Sequence, residues 1–223
     1  MCGEDNDNDN SRAGISTVSL GFQAELFPAA THLCYLYNDD EERQRVVAGF
    51  VQSGLAAHEC VGCFLDVTSP AAVSRRLREW HIPEPPPATL KVSLALDVYC
   101  PNGRFTPATM LDTLRRFRKR ALDASLAGAR VTGEMEWALQ GMHGAERIVE
   151  YESMVNVLLP EQPMVVFCQY DTRKFDGGTL FDVLNVHPMM LVRGQVVRNP
   201  YYVPPERYLG QDKVAALKAD HGQ

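Results

Sequence analysis

The residues that could do chemistry first appear in the run "HLCYLY", where His32 and Cys34 stand two positions apart. Because residues two apart on a β-strand face the same side, this pair could ligate a metal ion or hold a polar ligand. Tyr35 and Tyr37 would share the opposite face. A buried histidine whose ring is satisfied by a backbone partner explains the same spacing, so the sequence leaves both interpretations open.

A second group of candidates lies in "GEMEWAL", in or at the end of a predicted strand. Glu134 and Glu136 would share one face of that strand, with Trp137 beside them. Carboxylates in such a cleft could hydrogen-bond a polar ligand, or they could pair with an arginine in a structural role. The sequence alone does not choose between these two roles.

A third group ends the run "PMVVFCQYD", whose strong apolar character predicts a central strand. In an open parallel sheet, ligands bind outside the carboxyl ends of the strands, so Gln169, Tyr170 and Asp171 are well placed to contact a ligand. His187 precedes the next predicted strand. Its side chain could close the same pocket, or it could cap the short helix before it.

A buried carboxylate is predicted at Glu152, which falls among apolar residues at helical spacing. A carboxylate at the margin of an apolar face needs a partner. We expect an ion pair with Arg173 or Arg193, which is a structural role.

No metal site, catalytic residue or cofactor is predicted. The segment "HECVGCF" contains a C-x2-C pair, Cys60 and Cys63, but the sequence holds no second pair of this kind. Residues three apart on a strand point to opposite faces, so these two thiols cannot both reach one metal ion. No Ser–His–Asp or Cys–His spacing indicates a nucleophile with its base.

The composition and net charge of the chain argue against some classes of binding partner. The 223 residues, 45% of them hydrophobic and 22% charged, suit one globular α/β domain. A net charge of −6 argues against nucleic acid, and we expect the basic run "RRFRKR" to be a solvated helix face. No apolar run approaches the roughly 20 residues of a membrane span, and the N-terminus does not resemble a secretory signal. We therefore expect a cytoplasmic protein with no membrane contact, whose six cysteines are reduced and mostly buried.

The elements that would position these residues alternate along the chain, which predicts a single three-layer α/β domain with a mainly parallel sheet. About six strands and five helices are expected. The strands are predicted at 31–37 and in "CVGCFLDV", "LKVSLALDVY", "ARVTGEMEWAL", "PMVVFCQYD" and "MMLVRGQVV". A helix is expected to begin at the Ser69 cap with Pro70 in its first turn, and the tail "RNPYYVPPERYL" is expected to be extended.

The first strand-to-helix junction reads "YNDDEER", where a phosphate-binding loop would carry glycines and a lysine. Asn38 or Asp39 is expected to cap the helix. The nearby carboxylates complement the partial positive charge of the helix N-terminus, which leaves little field for a phosphate. Binding of a nucleoside triphosphate at this junction is therefore disfavoured.

The segments "HLCYLYNDDEERQRVVAGFVQSGL", "GEMEWAL", "VEYESMVNVLL" and "VVFCQYDTRKFDGGTLFDVLNVHPMMLVRGQVVRNPYYVPP" together resemble the MEDS family, the methanogen/methylotroph DcmR sensory domain. The resemblance covers roughly residues 28 to 205. It implies a RecA/KaiC-like core without a phosphate-binding loop (a degenerate Walker A) and a role in signal transduction. It also implies sensing of small organic molecules such as simple hydrocarbon derivatives.

The polar, acidic composition of residues 1–15 predicts a disordered segment, which we expect to be followed by a sensory domain (16–205) and a C-terminal tail (206–223). The function we expect is a non-catalytic sensory or regulatory domain that binds a small organic ligand and signals through a separate signalling or regulatory protein. A structural interaction module without ligand is the alternative. A residual nucleotide-binding enzyme is a further one. A homodimer is compatible with all three.

Overall fold

The structure, a computed structural model, describes residues 16–66, 75, 78–82 and 88–219 of the chain. The predicted acidic segment 1–15 lies outside these residues. The predicted cap at Ser69 with Pro70 lies outside them as well.

The described residues form one large sheet of seven strands and a separate antiparallel pair. The strand order in the large sheet is β5-β4-β6-β7-β3-β8-β9, and every neighbouring pair is parallel except the last. This arrangement confirms the predicted α/β fold with a mainly parallel sheet. The strands are β1 (Thr17–Ser19), β2 (Leu26–Pro28), β3 (His32–Tyr37), β4 (Cys60–Leu65), β5 (Leu90–Leu94), β6 (Ala129–Glu134), β7 (Val165–Asp171), β8 (Met189–Val192) and β9 (Gln195–Arg198).

Helices cover both faces of the large sheet, so the predicted three layers are present. They are α1 (Asp40–Ala56), α2 (Ala95–Tyr99), α3 (Pro107–Asp123), α4 (Ile148–Leu158), α5 (Gly177–Val186), α6 (Pro205–Tyr208) and α7 (Gln211–Ala219). Three short 3-10 turns lie at Pro101–Gly103, Glu136–Leu139 and Ala145–Arg147.

Two apolar cores lie on the two faces of this sheet. On one face α1 packs through Val47, Phe50 and Val51, and the ring centroids of Phe50 and Phe167 of β7 are 5.2 Å apart. On the other face the core is built from α3, α4 and α5. Strands β4, β6 and β7 are buried along their whole length, as expected for parallel strands covered on both sides.

Three predicted elements are wrong in detail. The run "LKVSLALDVY" is not one strand, because β5 ends at Leu94 and α2 then buries Ala95 and Tyr99 one helical turn apart. The run "MMLVRGQVV" is a hairpin, in which Arg193 and Gly194 take positive φ angles of 48° and 76° that suit a tight turn. The tail is not extended throughout, because Pro205 occupies the first position of α6.

A buried arginine on β6 connects three segments. The guanidinium of Arg130 is fully buried, forms an ion pair with Glu59, and donates to the backbone oxygens of Phe50 and Ser19, both at 3.0 Å. It thereby holds the end of β1 and the middle of α1 against the sheet. Since the charge is paired and each bond is made inside the protein, removal of one partner leaves a buried charge without compensation.

We expect Arg130→Met to lower the free energy of unfolding by about 3–5 kcal/mol, because it leaves the Glu59 carboxylate buried and unpaired. Urea denaturation followed by circular dichroism measures this change. The matched control is Arg198→Met on the exposed side of β9, for which we expect a change below about 0.5 kcal/mol. Equal effects of the two substitutions would contradict the structural role of Arg130.

Candidate functional site

The carboxyl edge of the sheet carries charged side chains that are already paired with one another. Glu134, the last residue of β6, accepts a hydrogen bond of 2.7 Å from Arg43 of α1 through Oε1. Its Oε2 accepts one of 2.7 Å from the backbone N–H of Asp66, which follows β4. The Arg43 guanidinium also lies 5.0 Å from the centroid of the Tyr37 ring. Glu134 thus links β4, β6 and α1 at the edge where a ligand was expected.

A second group of charged side chains lies at the junction between β3 and α1. Asp39 is the N-cap of α1 and accepts 2.8 Å from the Glu42 N–H, which confirms one of the two expected caps. Arg173 donates to Asp171 at 2.7 Å and to Asp40 at 2.9 Å. These hydrogen bonds lower the pKa of Asp171 and the pKa of Asp40. The acidic start of α1 is therefore neutralised by the protein itself.

Glu136 and Trp137 lie in a 3-10 turn, so the prediction that Glu134 and Glu136 share a strand face is wrong. The strand ends at Glu134, and the turn carries the Glu136 carboxylate outward to an ion pair with Lys174. Trp137 is fully buried, and its ring stacks on Tyr99 with centroids 4.8 Å apart. The tryptophan is part of the core.

A polar cluster lies inside the core on the other side of the sheet, around Glu152 of α4. Glu152 is fully buried, and its Oε1 accepts a hydrogen bond of 2.7 Å from the Tyr170 hydroxyl. Its Oε2 lies 3.1 Å from Nε2 of His32 and 3.6 Å from Nε2 of His187. The expected pairing of Glu152 with an arginine is wrong, because helix α4 aims the carboxylate at the buried ends of β3 and α5. Arg173 pairs with acids at the sheet edge instead.

Burial and charge shift the proton affinities within this cluster. Burial alone would raise the pKa of Glu152, but its interactions with His187, His32 and the Tyr170 hydroxyl hold it below its usual value. Burial lowers the pKa of His187 to about 3, so its ring is neutral at physiological pH. Burial and the nearby Glu152 charge raise the pKa of Cys168 and of Tyr170 well above their usual values.

The structure separates the predicted site residues into different environments. His32, Tyr170 and His187 meet at Glu152, and His187 also caps α5 by hydrogen bonding to the Val183 carbonyl at 2.8 Å. The helix-capping role considered for His187 is therefore confirmed, and its role in a ligand pocket stays a prediction.

The other strand candidates point elsewhere. Tyr35 and Tyr37 lie on the opposite face of β3, as predicted, with ring centroids 5.6 Å apart. The Gln169 amide donates a hydrogen bond of 2.7 Å to the Thr132 hydroxyl, and the Cys34 thiol donates one of 3.8 Å to the Met189 carbonyl. Strand periodicity explains the separation of Tyr35, Tyr37 and Gln169, because alternate residues of one strand face different layers. Cys34 shares the face of His32, as predicted, but its thiol is directed to β8.

Sequence reasoning missed two members of the cluster, Cys168 and Asn156. The Cys168 thiol lies 3.5 Å from Oε2 of Glu152. Asn156 follows Glu152 by four residues on α4, and its amide donates to the Glu152 and Val186 carbonyls. A polar pair at this spacing within an apolar helix was the available signal.

An open cleft of about 650 Å³ lies beside this cluster, where the chain continues beyond the carboxyl ends of β6 and β7. Its buried or half-buried lining is mostly apolar, with Thr179 as the polar member: Ala138, Met142, Ala145, Ile148, Val149 and Phe175. Exposed polar residues His143, Glu146 and Asp182 also line it. The Phe175 ring packs edge-on against Tyr170, with centroids 5.3 Å apart, so the cleft contacts the side chain that binds Glu152.

A second concave surface, of about 450 Å³, lies against α3. Lys91, Arg116 and Arg120 line it together with Asp97. Part of the basic run therefore faces this surface, whereas Lys119 pairs with Asp123 on the exposed side of the helix.

Comparison with known proteins identifies relatives of this chain. A family model described as MEDS, the methanogen/methylotroph DcmR sensory domain, matches residues 31–188. The transcriptional repressor DcmR of Methylorubrum extorquens is 30% identical over 159 residues, which are 70% of this chain and 57% of the repressor. The chain thus spans little more than half the length of this curated relative.

Solved structures share the fold. A KaiC-like protein from Pyrococcus horikoshii matches with a TM-score of 0.55 and 11% identity, over 79% of this chain and 80% of that protein. An uncharacterized protein from the same archaeon, in complex with an unknown peptide, matches with a TM-score of 0.54 and 13% identity. That match covers 75% of this chain and 81% of the other. At this identity the likeness shows a KaiC-like core. Among the described residues, no helix is both long and apolar enough to span a bilayer.

The pairing at the sheet edge predicts a pH dependence through Asp66. Burial, with the charges of Glu134 and Glu136, raises the pKa of Asp66 to about 7 from an ordinary value of 3.8. Between these values the folded protein keeps a proton that the unfolded chain has lost, so this group's contribution to stability falls as pH rises through 7. We expect a rise from pH 5 to pH 8 to lower the free energy of unfolding less in Asp66→Asn than in the unmodified protein.

Urea denaturation midpoints at the two pH values measure this difference. The control is Asp97→Asn, which removes an exposed carboxylate from α2 and should keep the pH profile of the unmodified protein. An Asp66→Asn profile parallel to that of the unmodified protein would refute the assignment to Asp66.

Proposed function

Because the chain belongs to the MEDS family of methanogen/methylotroph DcmR sensory domains, we propose that it binds a small organic molecule and signals through a separate partner protein. Membership of this family gives it a regulatory sensory role. We also propose, together with the ligand and the partner protein, that the chain catalyses no reaction and acts in the cytoplasm.

The observation that carries the proposal is the apolar cleft beyond the carboxyl ends of β6 and β7. Its volume of about 650 Å³ lies in the range of small-molecule sites, which is roughly 300–1,000 Å³. Parallel α/β sheets bind ligands at this edge. Walls formed by Met142, Ile148, Val149 and Phe175 favour an uncharged or weakly polar molecule, such as a simple hydrocarbon derivative.

Three of the predicted ligand-binding residues, His32, Tyr170 and His187, then lie behind the wall of the cleft and respond to a ligand without contacting it. A ligand that contacts Phe175 displaces a ring packed on Tyr170, whose hydroxyl holds Glu152. Through Glu152 the effect reaches His32 on β3 and His187 at the end of α5. This chain of packed contacts provides a route from the cleft to strand β3.

The paired charges at the start of α1 support a non-nucleotide ligand. Asp39 occupies the cap, and Asp40 is bonded to Arg173, so a phosphate here would meet two carboxylates. Electrostatic repulsion opposes a triphosphate at this place. We therefore propose a sensor in preference to a nucleotide hydrolase.

One observation favours an interaction module as the second candidate. Phe181 of α5 and Tyr201 are 52% and 53% exposed, and their rings pack edge-on at 6.0 Å. Exposed aromatic pairs are frequent in protein contacts. A partner protein or a second copy of the chain could dock here, with or without a ligand in the cleft.

Native mass spectrometry of the purified protein tests the proposal, with its denatured mass as reference and ATP and ADP in parallel samples. We expect a small adduct that is lost on denaturation and unaffected by nucleotide. Ligand-induced rises in melting temperature, measured with a panel of one- to three-carbon alcohols, acids and halogenated hydrocarbons, identify the class.

The variant Ala138→Phe fills the cleft and should abolish both the adduct and the thermal shift. Ala216→Phe, at an exposed position of α7, is the matched control and should retain both. Nucleotide adducts would overturn the argument from the acidic junction. A protein that binds nothing in these experiments would contradict the sensor and favour the interaction module.

A further inference from the structure

Four side chains that commonly bind metal ions converge in the core. They are His32, Glu152, Cys168 and His187, and one ligand atom from each lies within 4.8 Å of those of the others. All four residues are at most 1% exposed. They come from four different elements: β3, α4, β7 and the C-terminal cap of α5. Such convergence in an apolar core requires a compensating interaction, because an isolated polar group is costly there.

The separations match the edges of a tetrahedron. Metal–ligand bonds of about 2.0–2.3 Å place tetrahedral ligand atoms about 3.3–3.8 Å apart. Oε2 of Glu152 lies 3.1 Å from Nε2 of His32, 3.6 Å from Nε2 of His187 and 3.5 Å from Sγ of Cys168. Sγ of Cys168 lies 3.7 Å from Nε2 of His32. These four separations lie close to the tetrahedral edges, and the two from Nε2 of His187 to His32 and Cys168 lie within 4.8 Å. A shift of the His187 ring by up to about 1 Å would bring all four atoms onto one ion.

Outer hydrogen bonds orient the histidine rings for metal binding. Asn156 uses its amide nitrogen to donate to two carbonyls, so its oxygen faces Nδ1 of His32 at 2.9 Å and accepts that proton. Nδ1 of His187 donates to the Val183 carbonyl at 2.8 Å. With both Nδ1 atoms protonated, neutral rings present their Nε2 lone pairs to the centre. Metal-binding histidines are typically held in this way.

One atom of the cluster has no hydrogen-bond partner. Nε2 of His187 is fully buried and unbonded, although it points toward the Glu152 carboxylate. Two atoms that both carry lone pairs do not satisfy each other. The Tyr170 hydroxyl occupies Oε1 of Glu152 and leaves Oε2 available to an ion. The unbonded Nε2 of His187, which faces this carboxylate oxygen, points to a cation between the two atoms.

Charge balance supports the same conclusion. Among the residues that the structure describes, no lysine or arginine contacts Glu152. A Cys168 thiolate and a Glu152 carboxylate carry two negative charges, which a divalent ion neutralises while the histidines remain uncharged. A neutral centre is the arrangement that an apolar core accepts at least cost.

We propose that His32 Nε2, Glu152 Oε2, Cys168 Sγ and His187 Nε2 bind one divalent transition-metal ion, and that zinc is the ion this donor set favours. Binding releases the Cys168 proton to solvent as the sulfur–metal bond forms. Four protein ligands fill a tetrahedral site, so the ion joins β3 and β7 to α4 and α5 and leaves no position for a substrate. This inference does not require a ligand in the cleft, although the ion would bind Glu152, His32 and His187, through which the sensory proposal passes.

Metal content tests the proposal on the full chain after removal of any affinity tag. Inductively coupled plasma mass spectrometry should find one zinc ion per chain in the unmodified protein. Cys168→Ser should reduce the content at least tenfold after dialysis against a chelator. The matched control is Cys63→Ser, which alters an equally buried thiol on the other face of the sheet and should retain the metal. A second control, Cys60→Ser, excludes the C-x2-C segment as the source.

Cobalt substitution of the unmodified protein provides a test that does not depend on the folding of a variant. A tetrahedral site with one thiolate should give strong visible absorption and a sulfur-to-cobalt band in the near ultraviolet. The same spectrum in Cys63→Ser and its loss in Cys168→Ser would support the site. A metal-free protein that fails to take up zinc or cobalt would overturn the proposal. So would metal content that Cys168→Ser leaves unchanged.

Discussion

The structure depends on a carboxylate that no solvent reaches. Glu152 extends from α4 into an apolar layer, where burial without partners would be prohibitive. Tyr170 and His32 meet this requirement by hydrogen bonding, and His187 lies 3.6 Å from the same carboxylate, so β7, β3 and the end of α5 come to one point. Apolar packing tolerates small slips between elements, whereas this group of contacts does not. The cluster therefore fixes the relative positions of two central strands and two helices.

The charged side chains at the carboxyl edge of the sheet are paired in a different way from Glu152. There, Arg43 and Glu134 form a buried pair, whereas the half-exposed Arg173 pairs with Asp40 and Asp171. Solvent screens the pairs of Arg173, so they contribute little to stability. Their effect is to occupy the groups that an anion would need. The edge of a KaiC-like sheet is thereby left to the apolar cleft beyond β6 and β7.

Local patterns predicted much of this fold, because its helices and central strands have clear periodicity and caps. Asp39 at the start of α1 and the continuous apolar run of β7 are examples. Prediction failed where contacts between residues distant in the sequence determine the local conformation or the partners of a side chain. Tyr99 turns a β-like run into a helix by stacking on Trp137, and the partners of Glu152 come from residues more than a hundred positions away or from the next helix. Candidate residues were identified by type, but their grouping required the fold.

The order of the strands has a consequence for biosynthesis. β3 is made early, yet its neighbours in the sheet are β7 and β8, and His32 is separated from Cys168 by 136 positions. Closing so long a loop is entropically costly and slows folding. During translation β3 has no partner strand, and its apolar face stays available for wrong pairings. A chaperone that shields "HLCYLY" until β7 emerges would therefore increase the yield of native protein more than one that acts on the finished chain.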